Sequence, residues 1–131
     1  MDTTNPVVQL CSAGTQAEFD ARPDDACRLY VAAWEAATDD FGACVAAHYM
    51  ARCQPDAQAR LHWNQIALAR AEAVGDERIQ PFMPSLFVNL GYSYEELGQH
   101  EAAQHYYERA AALGYRHQPD TGQNRLRRPA A

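Results

Sequence analysis

The residues best suited to chemistry are two clusters of cysteine and histidine. Cys44 and His48 stand four apart, a spacing that places both on one face of a helix and offers a soft sulfur and an imidazole nitrogen to a metal such as zinc. A third ligand would have to come from His62 or Cys53, and two ligands do not make a site. A packed cysteine beside a histidine in a groove is the simpler expectation. His100 and His105, five apart, diverge on a helix and read as solvated polar residues. Glu95 and Glu96 adjoin one another, yet adjacent helical residues point about 100 degrees apart, and nothing nearby supplies a nucleophile or oxyanion donors. The chain carries no Gly-rich phosphate loop, no GxSxG and no HExxH, so the expectation is no enzyme, no metal and no cofactor.

The elements that must position these residues are read as helices. Pro23 followed by Asp24 and Asp25 suits a helix start in backbone geometry and in dipole. Ala26, Leu29, Tyr30, Ala33 and Ala37 then share one stripe. The expected helices are about 24–38, 41–53, 55–74, 84–97 and 99–113. Asp39 or Asp40 caps the second, and Pro55 halts it. Gly75, Gly98 and Gly114 close the last three. Pro81 and Pro84 each remove an amide donor, so 76–84 is a kink or a break. Residues 1–22 lack sustained periodicity and are expected to be a loosely ordered acidic arm, with Thr15 and Glu18 capping at most one turn. The tail 115–131, which contains Arg125, Arg127 and Arg128, is expected to be flexible and basic.

Composition narrows the partners. Alanine supplies roughly a fifth of the chain, well above its usual share, which favours close-packed helices. The net charge of −6 is concentrated at the front, where residues 1–40 carry eight acids and two arginines. Such a surface repels phosphate backbones, so nucleic acid is not an expected partner. The first residues lack a basic n-region, and no stretch approaches the eighteen or so apolar residues of a membrane span. The expectation is therefore a cytoplasmic protein with no membrane partner. Cys11, Cys27, Cys44 and Cys53 form no CxxC pair and are expected as free thiols.

Self-similarity is the strongest signal. Ala47, Met50, Ala59, Trp63 and Ile66 recur 44 residues later as Gly91, Tyr94, Ala103, Tyr107 and Ala110, and Ala26, Tyr30 and Ala33 stand 33 residues ahead of Ala59, Trp63 and Ile66. Asn89-Leu90-Gly91-Tyr92-Ser93-Tyr94, followed by Gly98, Ala103, Tyr107 and Ala110, closely resembles the tetratricopeptide pattern, and the resemblance covers residues 23–114. The earlier unit departs from the pattern at Ala47 and Met50, and the extra residues around Pro81 resemble the longer repeats of kinesin light chains. The resemblance implies an all-α fold, antiparallel hairpins stacked as a short right-handed superhelix. Gly91 and Ala103 are small where two helices approach closely. Tyr94, Trp63 and Tyr107 are expected as core packing.

The resemblance further implies a non-catalytic scaffold or adaptor that holds a protein or peptide along a concave groove lined by the first helix of each pair. His48, Arg52, Ser85, Val88, Tyr92, Glu95 and Glu96 are the groove residues so implied, with Arg52 facing the two glutamates. Some members of the family grip a C-terminal carboxylate with lysines and asparagines; this chain has no lysine and offers His48 and Tyr92 instead. A second reading is a self-associating module. Two and a half repeats fall short of the three usually needed, so the uncapped helical end would pair with another copy as a homodimer. A metal-binding sensor is the third.

Overall fold

A computed structural model describes residues 3–114. Its six helices are α1 (Pro6–Phe19), α2 (Pro23–Ala36), α3 (Asp40–Arg52), α4 (Ala57–Val74), α5 (Met83–Glu96) and α6 (His100–Ala112), with a 3₁₀ turn at Gln80–Phe82 ahead of α5. Among the described residues there is no strand. The tail 115–131 lies outside them.

Local chemistry sets most of the boundaries. The Asn5 side chain accepts from the Val7 amide at 2.8 Å and Pro6 follows at the first helical position. Asp39 and Asp56 cap α3 and α4 in the same way, accepting from Gly42 at 2.7 Å and from Ala59 at 2.8 Å. The segment between α4 and α5 is an Asp76-anchored turn, the Asp76 carboxylate accepting from the Arg78 amide at 3.0 Å, that passes into the 3₁₀ turn and so into α5.

The helices form three antiparallel hairpins, α1–α2, α3–α4 and α5–α6, with α3 also packed against α2 and α1, and α5 against α4. This corrects the expectation for the front of the chain. Residues 6–19 are not a loose arm but the first helix of a hairpin whose second helix is α2. Thr15 caps nothing; it lies within α1, its hydroxyl donating to the Cys11 carbonyl at 3.0 Å. Val7, Val8, Cys11, Gly14 and Ala17 are the buried face of α1.

Two apolar clusters make one continuous core. Val7, Cys11, Ala17, Ala26, Tyr30, Ala33, Ala46 and Met50 belong to the first, and Ala47, Leu61, Leu68, Leu86, Phe87, Leu90 and Ala110 to the second. Trp34, Phe41 and Trp63 pack against both. The two indoles meet edge to face, their centroids 5.1 Å apart, which is a favoured arrangement of ring quadrupoles.

The first and third hairpins turn by one motif. After α5, the Gln99 amide donates to Tyr94 and the Gly98 amide to Glu95, both at 2.9 Å, with Gly98 at φ 74°. After α1, Arg22 donates to Ala17 at 2.8 Å and Ala21 to Glu18 at 3.0 Å, and here an alanine holds the left-handed position at φ 59°. This is the Schellman arrangement, in which a Cβ is disfavoured. Ala21→Gly is accordingly expected to stabilise the chain by about 0.5–1 kcal/mol, the relief of steric strain exceeding the extra entropy of the unfolded glycine. Urea denaturation checks it: an unchanged or lowered midpoint would contradict the assigned turn.

Candidate functional site

The face formed by the first helices of the second and third hairpins holds a pocket of about 310 Å³ between α3 and α5. From α3 come Cys44, Val45, His48 and Tyr49, and from α5 come Ser85, Leu86 and Asn89. Ile79 and Phe82, on the segment that joins α4 to α5, complete it. The segment reaches there because α4 is four residues longer than α2, 18 against 14, and is followed by eight connecting residues where α2 is followed by three.

Most of the lining is apolar, and one polar pair sits within it. The Asn89 amide nitrogen is 3.3 Å from Nδ1 of His48, whose ring meets Tyr49 edge to face at 5.0 Å. With the amide donating, Nδ1 accepts and the ring proton sits on Nε2. Burial, helped by the nearby Arg52 charge, holds the His48 pKa below the ordinary histidine value. The imidazole is therefore a neutral hydrogen-bonding group at neutral pH.

Of the seven groove residues read from sequence, His48 and Ser85 line this pocket; the others do not. Arg52 is turned away from the α5 glutamates and chelated by Glu18 of α1, with Nε at 2.9 Å and a terminal nitrogen at 2.7 Å. The Tyr30 hydroxyl donates to the same carboxylate. Arg52 is thus a brace between hairpins. Its guanidinium holds the Glu18 carboxyl below the usual carboxylate range. The resulting stability is present above that range and lost as pH falls through the lowered value.

Glu96 is likewise engaged, its carboxylate accepting from Arg60 of α4 at 3.0 Å with both side chains largely covered. Val88 packs against the second apolar cluster. Glu95 is exposed and Tyr92 half-buried. Cys44 and His48 do share the pocket, but among the described residues no group of three or more His, Cys, Asp or Glu is arranged to hold a metal ion.

Cys44 apart, Val45, Tyr49, Ile79, Phe82, Leu86 and Asn89 are lining residues that the sequence reading did not place in the groove. Asn89 was within reach, since it lies four residues after Ser85 and three before Tyr92 on the same helical stripe. Ile79 and Phe82 are large apolar residues in a connection otherwise made of Gly, Asp, Glu, Arg, Gln and Pro.

Stacked helical hairpins with small residues at each crossing define the class of helical-repeat proteins. Within that class the family can be given: residues 84–113, which comprise nearly all of α5 and α6, match the tetratricopeptide repeat family and form one such repeat. Repeats of this family are protein-interaction modules. No curated protein and no solved structure matches the chain. Among the described residues no helix is long and apolar enough to cross a membrane.

Proposed function

We propose that the chain is a non-catalytic adaptor that holds a segment of a partner protein along its concave face, seating one apolar side chain of that segment between α3 and α5. The observation that carries this reading is the pocket itself, about 310 Å³ and at the small end of ligand sites, with apolar walls and the His48–Asn89 pair among them. Apolar walls supply contact area, while the imidazole and amide supply groups that can recognise a peptide backbone.

Self-association through the stacking faces draws less support. Leu61, Asn64 and Leu68 of α4 are buried, while the residues 44 positions later on α6, His105, Glu108 and Ala112, are exposed. Leu86, Leu90 and Ser93 of α5 are buried, and their counterparts 77 positions earlier on α1, Gln9, Ala13 and Gln16, are exposed. The outer helices thus present polar or small residues where the inner ones present a core, as capping repeats do.

Ser85 is exposed at the rim of the pocket, so Ser85→Trp fills the opening without disturbing the core. Peptides selected from a displayed library on the wild-type chain are expected to share an apolar anchor. They should bind the variant at least about tenfold more weakly, 1.4 kcal/mol, with the thermal midpoint held within a few degrees. Equal affinity for both forms would remove this pocket as the site.

A further inference from the structure

All four cysteines are reduced thiols, but they fall into two kinds. Cys11 and Cys44 are buried, and burial pushes their thiols up to about 12 and about 11. Cys27, near the start of α2, and Cys53, the residue that closes α3, are half-buried and lie together. The Cys27 sulfur is 3.9 Å from the Cys53 carbonyl oxygen. The Cys53 thiol donates to the Met50 carbonyl at 3.5 Å, and the Cys27 thiol is its neighbour. No feature of the peptide-binding reading uses this pair.

We propose that Cys27 and Cys53 are an oxidisable dithiol, converted by a hydroperoxide into an intramolecular disulfide that ties α2 to the end of α3. In the first step the Cys27 thiolate attacks one oxygen of the peroxide, the O–O bond breaks, and the departing alkoxide or hydroxide takes up a proton. Cys27 is left as a sulfenic acid. In the second step the Cys53 sulfur attacks the Cys27 sulfur, the S–O bond breaks, and the oxygen leaves as water with the proton of Cys53. Two thiols and one hydroperoxide give one disulfide, one alcohol or water, and one further water. The sulfurs lose two electrons and the peroxide gains them.

The order of steps follows from the surroundings. Burial, together with the neighbouring Cys27 thiol, pushes the Cys53 thiol up to about 12, so it keeps its proton at neutral pH and acts second, against a sulfur already at hand. The position gives the bond a consequence. Cys53 follows Arg52, whose guanidinium holds Glu18 of α1, so the disulfide joins the first hairpin to the second at the edge already braced by that ion pair. Closing the loop between residues 27 and 53 restricts the unfolded chain, and the oxidised protein should melt at a higher temperature.

The test treats the reduced full-length chain with one equivalent of hydrogen peroxide, followed by intact mass, peptide mapping and a thermal melt. The expected product has lost two hydrogens per chain, yields a Cys27–Cys53 cross-linked peptide, melts several degrees higher and reverts with dithiothreitol. Cys53→Ser should stop at an oxygen adduct on Cys27, and the Cys11→Ser, Cys44→Ser double variant should still form the bridge. The proposal is overturned if the wild-type chain stays reduced, collects oxygen without a cross-link, bridges through Cys11 or Cys44, or cross-links only between chains.

Discussion

Gly14→Leu is expected to destabilise the fold by about 3 kcal/mol, at the upper end of the usual cost of overpacking a close helix crossing. A Cβ built on Gly14 would lie 2.4 Å from Cε1 of Tyr30 and 2.8 Å from its Cδ1, well inside van der Waals contact. The ring has nowhere to go. Tyr30 is 1% exposed, and its hydroxyl is held by Glu18, which also chelates Arg52. Moving the ring would therefore disturb the apolar cluster and the brace together.

Gly91 supplies an internal comparison. Its Cβ would meet Cε1 of Tyr107 at 2.6 Å, nearly the same clash, but Tyr107 is only half-buried where Tyr30 is fully buried. Gly91→Leu should therefore cost less, about 1–2 kcal/mol. Urea melts of both variants, with Gly14→Ala as a milder probe, decide the matter. Equal losses at the two glycines would show that burial of the facing ring does not set the cost. No loss at Gly14 would show that residues 6–19 are not packed as a helix against α2.

The same glycine explains what the sequence concealed. Ala26, Tyr30 and Ala33 reveal the second helix of the first hairpin through their 33-residue offset from Ala59, Trp63 and Ile66. Carrying that offset back from Ala47 and Met50 lands on Gly14 and Ala17, both buried. Periodicity fails there for a physical reason. A helix at the end of a stack buries one face only, and its other face, with Gln9, Ala13 and Gln16, carries no apolar stripe to add to the signal. The buried face itself holds Gly14 and Ala17, too small to register as hydrophobic. The Asn5 cap and Pro6 at the first helical position begin the helix, a signal the sequence reading did not use.

The different pairing of Arg52 and Glu96 follows from the missing helix. With 1–22 read as an arm, Arg52 had no partner nearer than the α5 glutamates. Once α1 is present, Glu18 reaches it from the neighbouring hairpin, and Glu96 is left to Arg60 of α4. Ion pairs between helices depend on which helices exist, so a single missed element reassigns the charges around it. Cys44, His48 and Ser85 could be found because the repeat register fixes the faces of α3 and α5. Ile79 and Phe82 were hidden because irregular backbone has no register to read.

The last expected result concerns the contact between α4 and α5, where the Asn64 amide nitrogen donates to the Ser93 hydroxyl at 2.8 Å. Both residues are buried, 9% and 2% exposed, among Leu61, Leu68 and Leu90. A hydrogen bond in such surroundings contributes modestly when intact, but a buried partner left alone costs its full desolvation. The two partners are not equivalent. A serine in a helix can turn its hydroxyl to the carbonyl one turn back, whereas the Asn64 amide has two donors and an acceptor that no single backbone group replaces. Ser93→Ala should therefore cost about 2–3 kcal/mol and Asn64→Leu, which keeps the volume and leaves only the hydroxyl, about 1 kcal/mol. The double variant replaces both by apolar groups of similar shape and should lose only about 1 kcal/mol relative to the wild type, a coupling of about 2–3 kcal/mol between the sites. Urea denaturation of the four proteins gives the cycle. Additive losses would mean that the two side chains do not depend on one another, and that α5 is held on α4 by apolar packing, the Arg60–Glu96 pair and the Gln65–Tyr94 hydrogen bond.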